Sequence, residues 1–324
     1  MHSPHVTVLT AVRNGMPYLT ETVASIQAQT FTDWEYLIVD DASEDDTTSW
    51  VEAAASKDSR IRLLRQSERG GPFVAANAGL RASRGVFVAR IDADDLSPPT
   101  RIEKQVRVLS ENNHWNACIT NKLSFNEHGL IHGSGSHLPA APQALKWIFA
   151  MGTRATHSSL CFRRESVVEL GGYRPLPAAS DYHLITSLAL SDRLFVLPET
   201  LSHVRRHARR LSKVSGSAQN RLGHDLAKEH LLSLTGQDYS LTEIEALWAV
   251  GAAGAYDVRL AMKAFSKWRQ AWGRSQLSSE AMADLKACAG LVRRDFLRAN
   301  LRSNTAAVLR EWLRCKNPPI PVQQ

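Results

Sequence analysis

Residues 6–42 read VTVLTAVRNGMPYLTETVASIQAQTFTDWEYLIVDDA, and two kinds of pattern alternate along them. Val6–Ala11 and Trp34–Val39 are short apolar runs of the type found in buried strands. Between them, apolar residues recur at roughly helical spacing from Tyr18 to Ala28, after a turn at Asn14-Gly15. The stretch therefore predicts a strand, a helix and a second strand.

The same alternation continues for another seventy residues. Strands with short helical connections imply right-handed βαβ units and a mostly parallel, Rossmann-like sheet flanked by helices, which is an α/β fold. The further strands predicted are Ile61–Leu64 and Val86–Ile91, and the further helices are Asp45–Ala55, Val74–Ala82 and Thr100–Leu109.

The pattern is mixed from Trp115 to about Arg210. Ala117–Leu123 and Ser158–Phe162 resemble strands, and Ser180–Leu190 resembles a helix. A last strand, Leu194–Leu197, is expected to be closed by Pro198.

Composition excludes several classes of protein. The 324 residues are 44% hydrophobic and 22% charged, which is typical of a globular chain long enough for two domains. Four cysteines lie far apart with no CxxC pair, so a zinc ribbon and a thioredoxin-type site are not supported. No stretch reaches the roughly 20 apolar residues of a membrane span, and the first ten residues, MHSPHVTVLT, predict no secretory signal. We therefore expect a cytoplasmic protein.

The net charge of +7 is unevenly distributed. Residues 1–110 hold 12 Lys/Arg and 15 Asp/Glu, a net of −3, and the remainder holds 27 and 17, a net of +10. A basic half is compatible with nucleic acid, anionic lipid or a phosphorylated substrate. The sequence has no RNA-binding aromatic signature, zinc finger or basic zipper, so we expect no nucleic-acid partner.

Acidic residues follow two of the predicted strands. Asp40-Asp41 ends the second, and Asp92, Asp94 and Asp95 end the fourth. Ligands of parallel sheets bind beyond the carboxyl ends of the strands, so this coincidence indicates a site. The Asp92-x-Asp94 spacing suits a divalent cation that also contacts a diphosphate, although an acidic surface turn is the alternative. For Asp40-Asp41 alone, a helix cap explains the residues at least as well.

In order and spacing, the chain resembles family 2 glycosyltransferases, which have a GT-A fold. The resemblance runs from residue 4 to about 213. It rests on residues 6–47, on ERGGPFVAANAGLRASRGVFVARIDADDLSPPTRIEKQ, and on the later segments HSSLCFRRESVVELGGYR, ASDYHL and VRRHARRLS. It implies transfer of a sugar from a nucleotide-diphosphate-sugar to an acceptor hydroxyl, with inversion.

The resemblance also assigns roles on the donor side. Asp94 is expected to bind Mn²⁺ or Mg²⁺, and Asp92 to lie near the ribose or a water of the metal. Asp181 corresponds to the general base. The remaining nucleotide-sugar contacts implied are Thr10, Ala11, Arg13, Asp41, Arg205 and His207.

Three residues correspond to the acceptor side: His157, Gly172 and Tyr173. Each has a structural alternative, because a lone histidine is more often structural and Gly171-Gly172 also suits the end of a helix. Arg206, Arg209 and Arg210 are best explained as a solvated charged face.

The expected organisation is a GT-A domain over 1–213 and a helical C-terminal region of unknown role over 214–324. SerGlySer at 215–217 resembles a linker, followed by helices at Leu241–Val250, Ala255–Trp268 and Glu280–Leu313. Arg293, Arg294, Arg298 and Arg302 accompany an apolar stripe of the last helix. Such a face could lie on an anionic membrane, but packing on the catalytic domain or another subunit is the favoured alternative.

The leading hypothesis is thus a metal-dependent glycosyltransferase of cell-envelope or exopolysaccharide synthesis. A UDP-sugar is the favoured donor, and the acceptor is expected to be a glycan or a lipid-linked molecule. The alternative is a catalytically silent GT-A-like module that binds a nucleotide or assists assembly. A nucleotidyltransferase is disfavoured because TAVRNG lacks a glycine-rich phosphate loop, and a dinucleotide oxidoreductase because no GxGxxG follows the first strand.

Overall fold

The structure is a computed structural model. It describes residues 4–131, 135, 138–139, 141–150, 152, 155–208, 216–252 and 258–301, without the side chains of 216–219, 249–252, 258–259 and 291–301.

The N-terminal elements follow the predicted alternation. Each strand from the first to the fourth is followed by a helix that covers one face of the sheet. In chain order these are β1 (Val6–Val12), α1 (Leu19–Gln27), β2 (Trp34–Asp40), α2 (Thr47–Lys57), β3 (Ile61–Arg65), α3 (Pro72–Ala82), β4 (Phe87–Arg90) and α4 (Arg101–Glu111).

The next elements complete the sheet. They are β5 (Ala117–Asn126), β6 (Gly129–Leu130), α5 (Pro142–Phe149), a short 3₁₀ helix (His157–Ser159), β7 (Cys161–Arg163), α6 (Arg164–Glu169), α7 (Ser180–Leu190) and β8 (Leu194–Arg205).

Within the described residues the sheet has eight strands in the order β3-β2-β1-β4-β7-β5-β6, with β8 paired to β5. The four N-terminal strands are parallel, and β7 lies antiparallel to both β4 and β5. Strand order reverses next to β1, because β2 lies on one side of it and β4 on the other. Such a switch point is where open α/β sheets bind ligands.

The expectation that Pro198 ends the last strand is wrong. Strand β8 continues from Leu194 to Arg205, and its pairing with β5 shifts register around Thr120 and Asn121. Proline lacks an N–H and is tolerated at such irregularities, which explains why the strand passes through it. The longer strand carries Arg205 to the carboxyl edge of the sheet.

The chain divides into two compact units. The first contains residues 1–138 and 154–216, and the second contains 139–153 and 217–324. Helix α5, which the sequence analysis placed in the N-terminal domain, therefore belongs with the C-terminal helices. Those helices are α8 (Gly216–Thr235), α9 (Leu241–Ala252), α10 (Val258–Gly273) and α11 (Ser279–Leu301).

Two expectations for the C-terminal region need comment. The linker predicted at 215–217 is wrong at Gly216 and Ser217, which already lie in α8. The side chains of Arg293, Arg294 and Arg298, and all of Arg302, lie outside the described residues, as do Arg209 and Arg210. In the part of the chain that the structure describes, no helix is long and apolar enough to cross a bilayer.

The core of the second unit is rich in tryptophan. Trp147 of α5 and Trp268 of α10 are buried, and the Trp268 indole N–H donates to the Trp147 carbonyl at 3.0 Å. The Trp248 indole donates to the carbonyl of Ala150 at 3.1 Å. These bonds satisfy indole donors that would otherwise be buried without a partner.

A buried carboxylate joins neighbouring strands at the amino edge of the sheet in the first unit. Glu35 of β2 is 1% exposed and accepts hydrogen bonds from the Thr7 hydroxyl at 2.7 Å and the Arg84 amide at 2.8 Å. The guanidinium groups of Arg62 and Arg84 lie at 2.5 and 2.6 Å. Burial alone would raise the pKa of Glu35, but these donors outweigh it and hold the pKa below 4.5.

We predict that Glu35→Gln lowers the free energy of unfolding by about 2 kcal/mol at pH 7, the scale of a hydrogen-bonded charge. Because the folded-state pKa is lowered, the stabilisation is fully present above the ordinary value and is lost as pH falls through the lowered one. Denaturant unfolding at pH 7 and pH 3 measures both quantities.

Glu52→Gln is the control, because Glu52 is an exposed carboxylate 3.4 Å from Arg65. Its loss should change stability by less than about 0.5 kcal/mol. A Glu35→Gln deficit that is equal at both pH values would contradict the assignment.

Candidate functional site

The turn after β4 places three carboxylates at the carboxyl edge of the sheet. The Asp95 amide donates to the Asp92 carbonyl at 3.2 Å, which closes the turn, and Leu96 and His203 exchange two backbone hydrogen bonds at 2.9 Å. The Asp92 and Asp94 side chains are 37% and 23% exposed, whereas Asp95 is fully buried. The two outer carboxylates can therefore meet a ligand, and the third points inward.

Asp95 joins the turn to two other segments. Its carboxylate accepts from the Ser158 hydroxyl at 2.5 Å and from the Arg205 amide at 2.9 Å. The Ser158 oxygen in turn accepts from the Asp92 amide at 3.0 Å. Burial raises the pKa of Asp95 to about 8, and the charges of Asp94 and Asp92 add to the rise. The hydrogen bonds from Ser158 and the Arg205 amide lower the pKa but do not cancel this rise.

Asp94 faces His207, and both residues belong to the set that the resemblance assigns to the donor side. The Nε2 of His207 lies 2.8 Å from Oδ2 of Asp94, and the Tyr18 ring packs on the imidazole at 4.5 Å between centroids. The other ring nitrogen, Nδ1, is buried and has no hydrogen-bond partner among the described atoms. A carboxylate and an imidazole can both bind divalent metal ions, and the carboxylate is the type that suits Mn²⁺.

Arg205 lies against the turn and contacts it from its own backbone and side chain. Its Nε donates to the Asp94 carbonyl and its Nη2 to Glu21, both at 2.9 Å. The guanidinium also packs over the rings of Tyr18 and Phe125, at 4.8 and 4.5 Å. In this structure Arg205 shapes the turn that carries Asp94.

Asp92 lies beside two nitrogen groups. Its Oδ1 is 3.4 Å from Nδ1 of His157 and 3.6 Å from Nη2 of Arg90. His157 and Arg90 are 8% and 2% exposed, so both lie beneath the surface on which Asp92 opens.

Gly172 and Tyr173 are placed next to the same histidine. The Tyr173 hydroxyl lies 2.8 Å from Nε2 of His157, and Asn77 exchanges two hydrogen bonds with the Tyr173 backbone at 2.7 and 2.8 Å. Gly172 has φ +75°, and a Cβ there would meet Oδ1 of Asn77 at 2.5 Å. Tyr173 is itself fully buried, and burial raises the pKa of its hydroxyl.

Asp181 is the second residue of helix α7, which follows Ala179 in a left-handed conformation at φ +58°. Its carboxylate accepts from the Tyr182 amide at 2.8 Å, while the Ser180 hydroxyl donates to the Arg174 carbonyl instead of capping the helix. The negative charge of Asp181 adds to the rise in the pKa of Tyr173, after the larger effect of burial.

The remaining donor-side residues line the ends of β1 and β2. Both oxygens of the buried Asp41 carboxylate accept backbone amides, from Gly70 at 2.7 Å and Gly71 at 2.9 Å. The Thr10 hydroxyl donates to the Ile91 carbonyl at 2.7 Å. Arg13 pairs with Glu44 at 2.6 Å, and Ala11 is half-buried one residue before the end of β1.

Among the described residues, no group of three or more His, Cys, Asp or Glu side chains could hold a metal ion. Asp94 and His207 could therefore supply only two ligands of a cation, and its other ligands would come from phosphate and water. Mg²⁺ and Mn²⁺ are commonly bound with one or two carboxylates and substrate phosphates, so the residues present are compatible with such an ion.

Comparison with known sequences identifies the family. The model of glycosyl transferase family 2 matches residues 7–169, half of the chain. The chain belongs to glycosyl transferase family 2, and the resemblance noted in the sequence is confirmed.

Individual relatives carry corresponding names. EpsE of Bacillus subtilis strain 168, named as a glycosyltransferase, is 34% identical over 53% of this chain and 60% of its own length. TuaG of the same strain, named for teichuronic acid biosynthesis, is 32% identical over 44% of this chain and 56% of TuaG. The chain thus spans little more than half the length of these two relatives.

Solved structures agree in fold. TarS 1–349 of S. aureus, in complex with UDP-GlcNAc, has a TM-score of 0.59 at 15% identity, covering 93% of this chain and 91% of TarS 1–349. The mannosyltransferase PcManGT of Pyrobaculum calidifontis, in complex with GDP-Man and Mn²⁺, has a TM-score of 0.57 at 20% identity, covering 98% and 89%. The expected GT-A fold with C-terminal helices is confirmed.

Sequence reasoning missed several residues of the site. Arg90 and Ser158 stand out only as polar residues beside apolar strands, and nothing in their spacing connects them to Asp92 or Asp95. Tyr18 reads as one member of an amphipathic helix, and Asn77 as a polar helix position. Their roles depend on contacts between segments 60 to almost 190 residues apart.

We predict that Gly172→Ala destabilises the first unit more than Gly171→Ala. Both glycines have a positive φ, so each alanine should cost about 1 kcal/mol in backbone strain. At Gly171 nothing lies within 4 Å of the new methyl group, whereas at Gly172 it meets Asn77, which should add about 1–3 kcal/mol. Urea unfolding of the two variants isolates the Asn77 contact, and equal losses would show that the contact relaxes without cost.

Proposed function

We propose that this chain is an inverting glycosyltransferase that moves a sugar from a nucleotide-diphosphate-sugar to an acceptor hydroxyl. The observation that carries the proposal is the Asp94–His207 pair at the carboxyl edge of β4, in a chain of this family. Asp92 opens beside it toward the same edge. The chain also has Asp181, the residue expected to act as the base, which a catalytically silent module would not need.

The proposed metal ligands are Asp94 and His207. A divalent cation bound there supplies positive charge to a diphosphate, which makes the diphosphate a better leaving group. Tyr18 supports the imidazole by ring contact, and Arg205 holds the Asp94 backbone. These neighbours keep the two ligands close together before any donor binds.

The proposed donor contacts lie along the ends of β1 and β2. Asp41, fixed by the Gly70 and Gly71 amides, is the proposed contact of the base. Ala11 and Arg13 are proposed to contact the nucleoside, and the fully buried Thr10 to support them through its hydrogen bond to Ile91. Asp92 is proposed to accept a hydrogen bond from the ribose. We favour a UDP-sugar, and the complexes of TarS and PcManGT with UDP-GlcNAc and GDP-Man support a nucleotide-sugar in general.

Asp181 is the proposed general base. Its carboxylate would take the proton of the acceptor hydroxyl while that oxygen attacks the anomeric carbon and the bond to the diphosphate breaks. Because attack and departure occur on opposite faces in one displacement, the anomeric configuration inverts and no protein nucleophile is needed. Asp181 is the second residue of α7.

The proposed acceptor is a glycan or a lipid-linked saccharide of the cell envelope or an exopolysaccharide, for which the name of TuaG is the support. We place the reaction in the cytoplasm or at the cytoplasmic face of a membrane. Residues 214–324 are the proposed site of any peripheral membrane contact.

We predict that the protein binds UDP or GDP more tightly with Mn²⁺ than without it, and that Asp94→Asn removes this difference. The affinity gained from the metal should fall by about tenfold or more, since even outer partners of metal ligands change affinity by that scale. Isothermal titration with each nucleotide, with and without Mn²⁺, measures it. Glu111→Gln, which removes one exposed carboxylate from the end of α4, is the charge control.

For the base, we predict that Asp181→Asn retains nucleotide binding but lowers kcat by about 10²- to 10⁴-fold, the usual contribution of a general base. Asparagine preserves the shape and one oxygen, so the helix should remain intact. Release of nucleotide from a donor sugar in the presence of acceptor measures kcat. An unchanged kcat would remove Asp181 from the mechanism, and a binder that never turns over would favour the silent-module alternative.

A further inference from the structure

We propose that Arg90, His157 and Tyr173 form one buried positioning unit that fixes the Asp92 carboxylate for the donor. The inference deepens the proposed function and rests on it for the identity of the ligand. It differs from the sequence expectation that His157 and Tyr173 contact the acceptor, because it gives both side chains a role through Asp92.

Arg90 is the least expected member. It lies at the end of β4, between β1 and β7, and its two neighbours Ala89 and Ile91 are fully buried. A buried guanidinium is unfavourable unless its charge and its donors are satisfied. Its Nη1 donates to the Leu9 carbonyl at 2.7 Å, and its Nη2 lies 3.6 Å from Asp92 Oδ1.

Arg90 lies along the imidazole of His157. Its Nε donates toward Nε2 of His157 at 3.1 Å, and its Nη2 lies 3.5 Å from Nδ1. Because a guanidinium can only donate, these contacts hold the ring beside a fixed positive charge. Nδ1 of the same ring lies 3.4 Å from Asp92 Oδ1.

Tyr173 completes the unit from the opposite side. The Tyr173 hydroxyl lies 2.8 Å from Nε2 of the His157 ring. The tyrosine backbone is held by the two hydrogen bonds to Asn77, so the ring starts from a fixed point. Helix α3 thus fixes Tyr173 through Asn77, Tyr173 contacts His157, and His157 lies beside Asp92.

The arrangement suits a positioning role because only Asp92 reaches the surface. Its carboxylate is 37% exposed, while Arg90 is 2% exposed and cannot meet a donor or acceptor directly. The shared target of Arg90 and His157 is a single oxygen, Oδ1, so the carboxylate is restrained in rotation and presents a defined face to the ribose or to a water of the metal. If Arg90 and His157 only filled the core, they would not both need to lie next to Asp92 Oδ1.

The test compares two buried arginines of the same region. Arg101 is also buried, but its guanidinium bonds to the carbonyls of Arg90 and Leu160 and to the side chains of Ser97 and Gln105, not to Asp92. Arg90→Lys should weaken binding of UDP or GDP with Mn²⁺ by about tenfold, the scale of an outer partner of a binding residue. Arg101→Lys should bind the same nucleotide with an affinity within twofold of the wild type, a difference of about 0.4 kcal/mol or less.

A second readout does not depend on nucleotide. In ¹⁵N-histidine spectra of the wild type, the ring signals lost in His157→Gln are those of His157, and their positions give the signature of its surroundings. Arg90→Lys should change this signature and Arg101→Lys should not. Tyr173→Phe, which keeps the ring and should fold, should shift the Nε2 signal and weaken nucleotide binding severalfold.

The outcomes separate the two proposals. If the wild type binds no nucleotide, the proposed function fails, while the histidine spectra still decide whether the unit exists. His157 ring signals that Arg90→Lys leaves unchanged overturn the unit. Equal losses of nucleotide affinity in Arg90→Lys and Arg101→Lys also overturn it, because they would reflect general loosening of the core.

Discussion

The burial of the Asp95 carboxylate is the constraint on which the site depends. One side chain with no solvent contact accepts bonds from the 3₁₀ helix at Ser158 and from the end of β8 at Arg205. A buried carboxylate that lost these donors would carry the cost of an unsatisfied polar group, so the three segments are held together. The contact of Asp95 with Ser158 positions Asp92 and His157, and its contact with Arg205 positions Asp94 and His207.

Much of the fold could be predicted from the sequence because its signals are local. The alternation of apolar runs and helical periodicity in residues 6–109 reports burial residue by residue, and the parallel sheet follows from short connections. Asp92, Asp94 and Asp41 could be placed at one edge for the same reason. Family resemblance supplied Asp181 and His207, whose local patterns favour an ordinary helix start and a solvated basic run.

What could not be predicted depends on packing between distant segments. Nothing near Pro198 indicates that β8 continues past it, because the compensating irregularity lies in β5, around Asn121. Nothing in the spacing of Arg90 indicates that its guanidinium turns toward a histidine 67 residues later. The helix start at Gly216 was missed because glycine and serine favour a linker locally.

The assignment of α5 to the second unit has a consequence for dissecting the protein. The chain passes from the first unit to the second near residue 138, returns near 154 and leaves again near 216. A single cut at residue 213 would therefore separate Trp147, Ile148 and Phe149, all buried, from the helices that cover them. The fragment would carry an uncovered apolar segment and would be prone to self-association. Independent expression of the two units requires replacing residues 139–153 with a short polar bridge and joining that helix to the C-terminal piece.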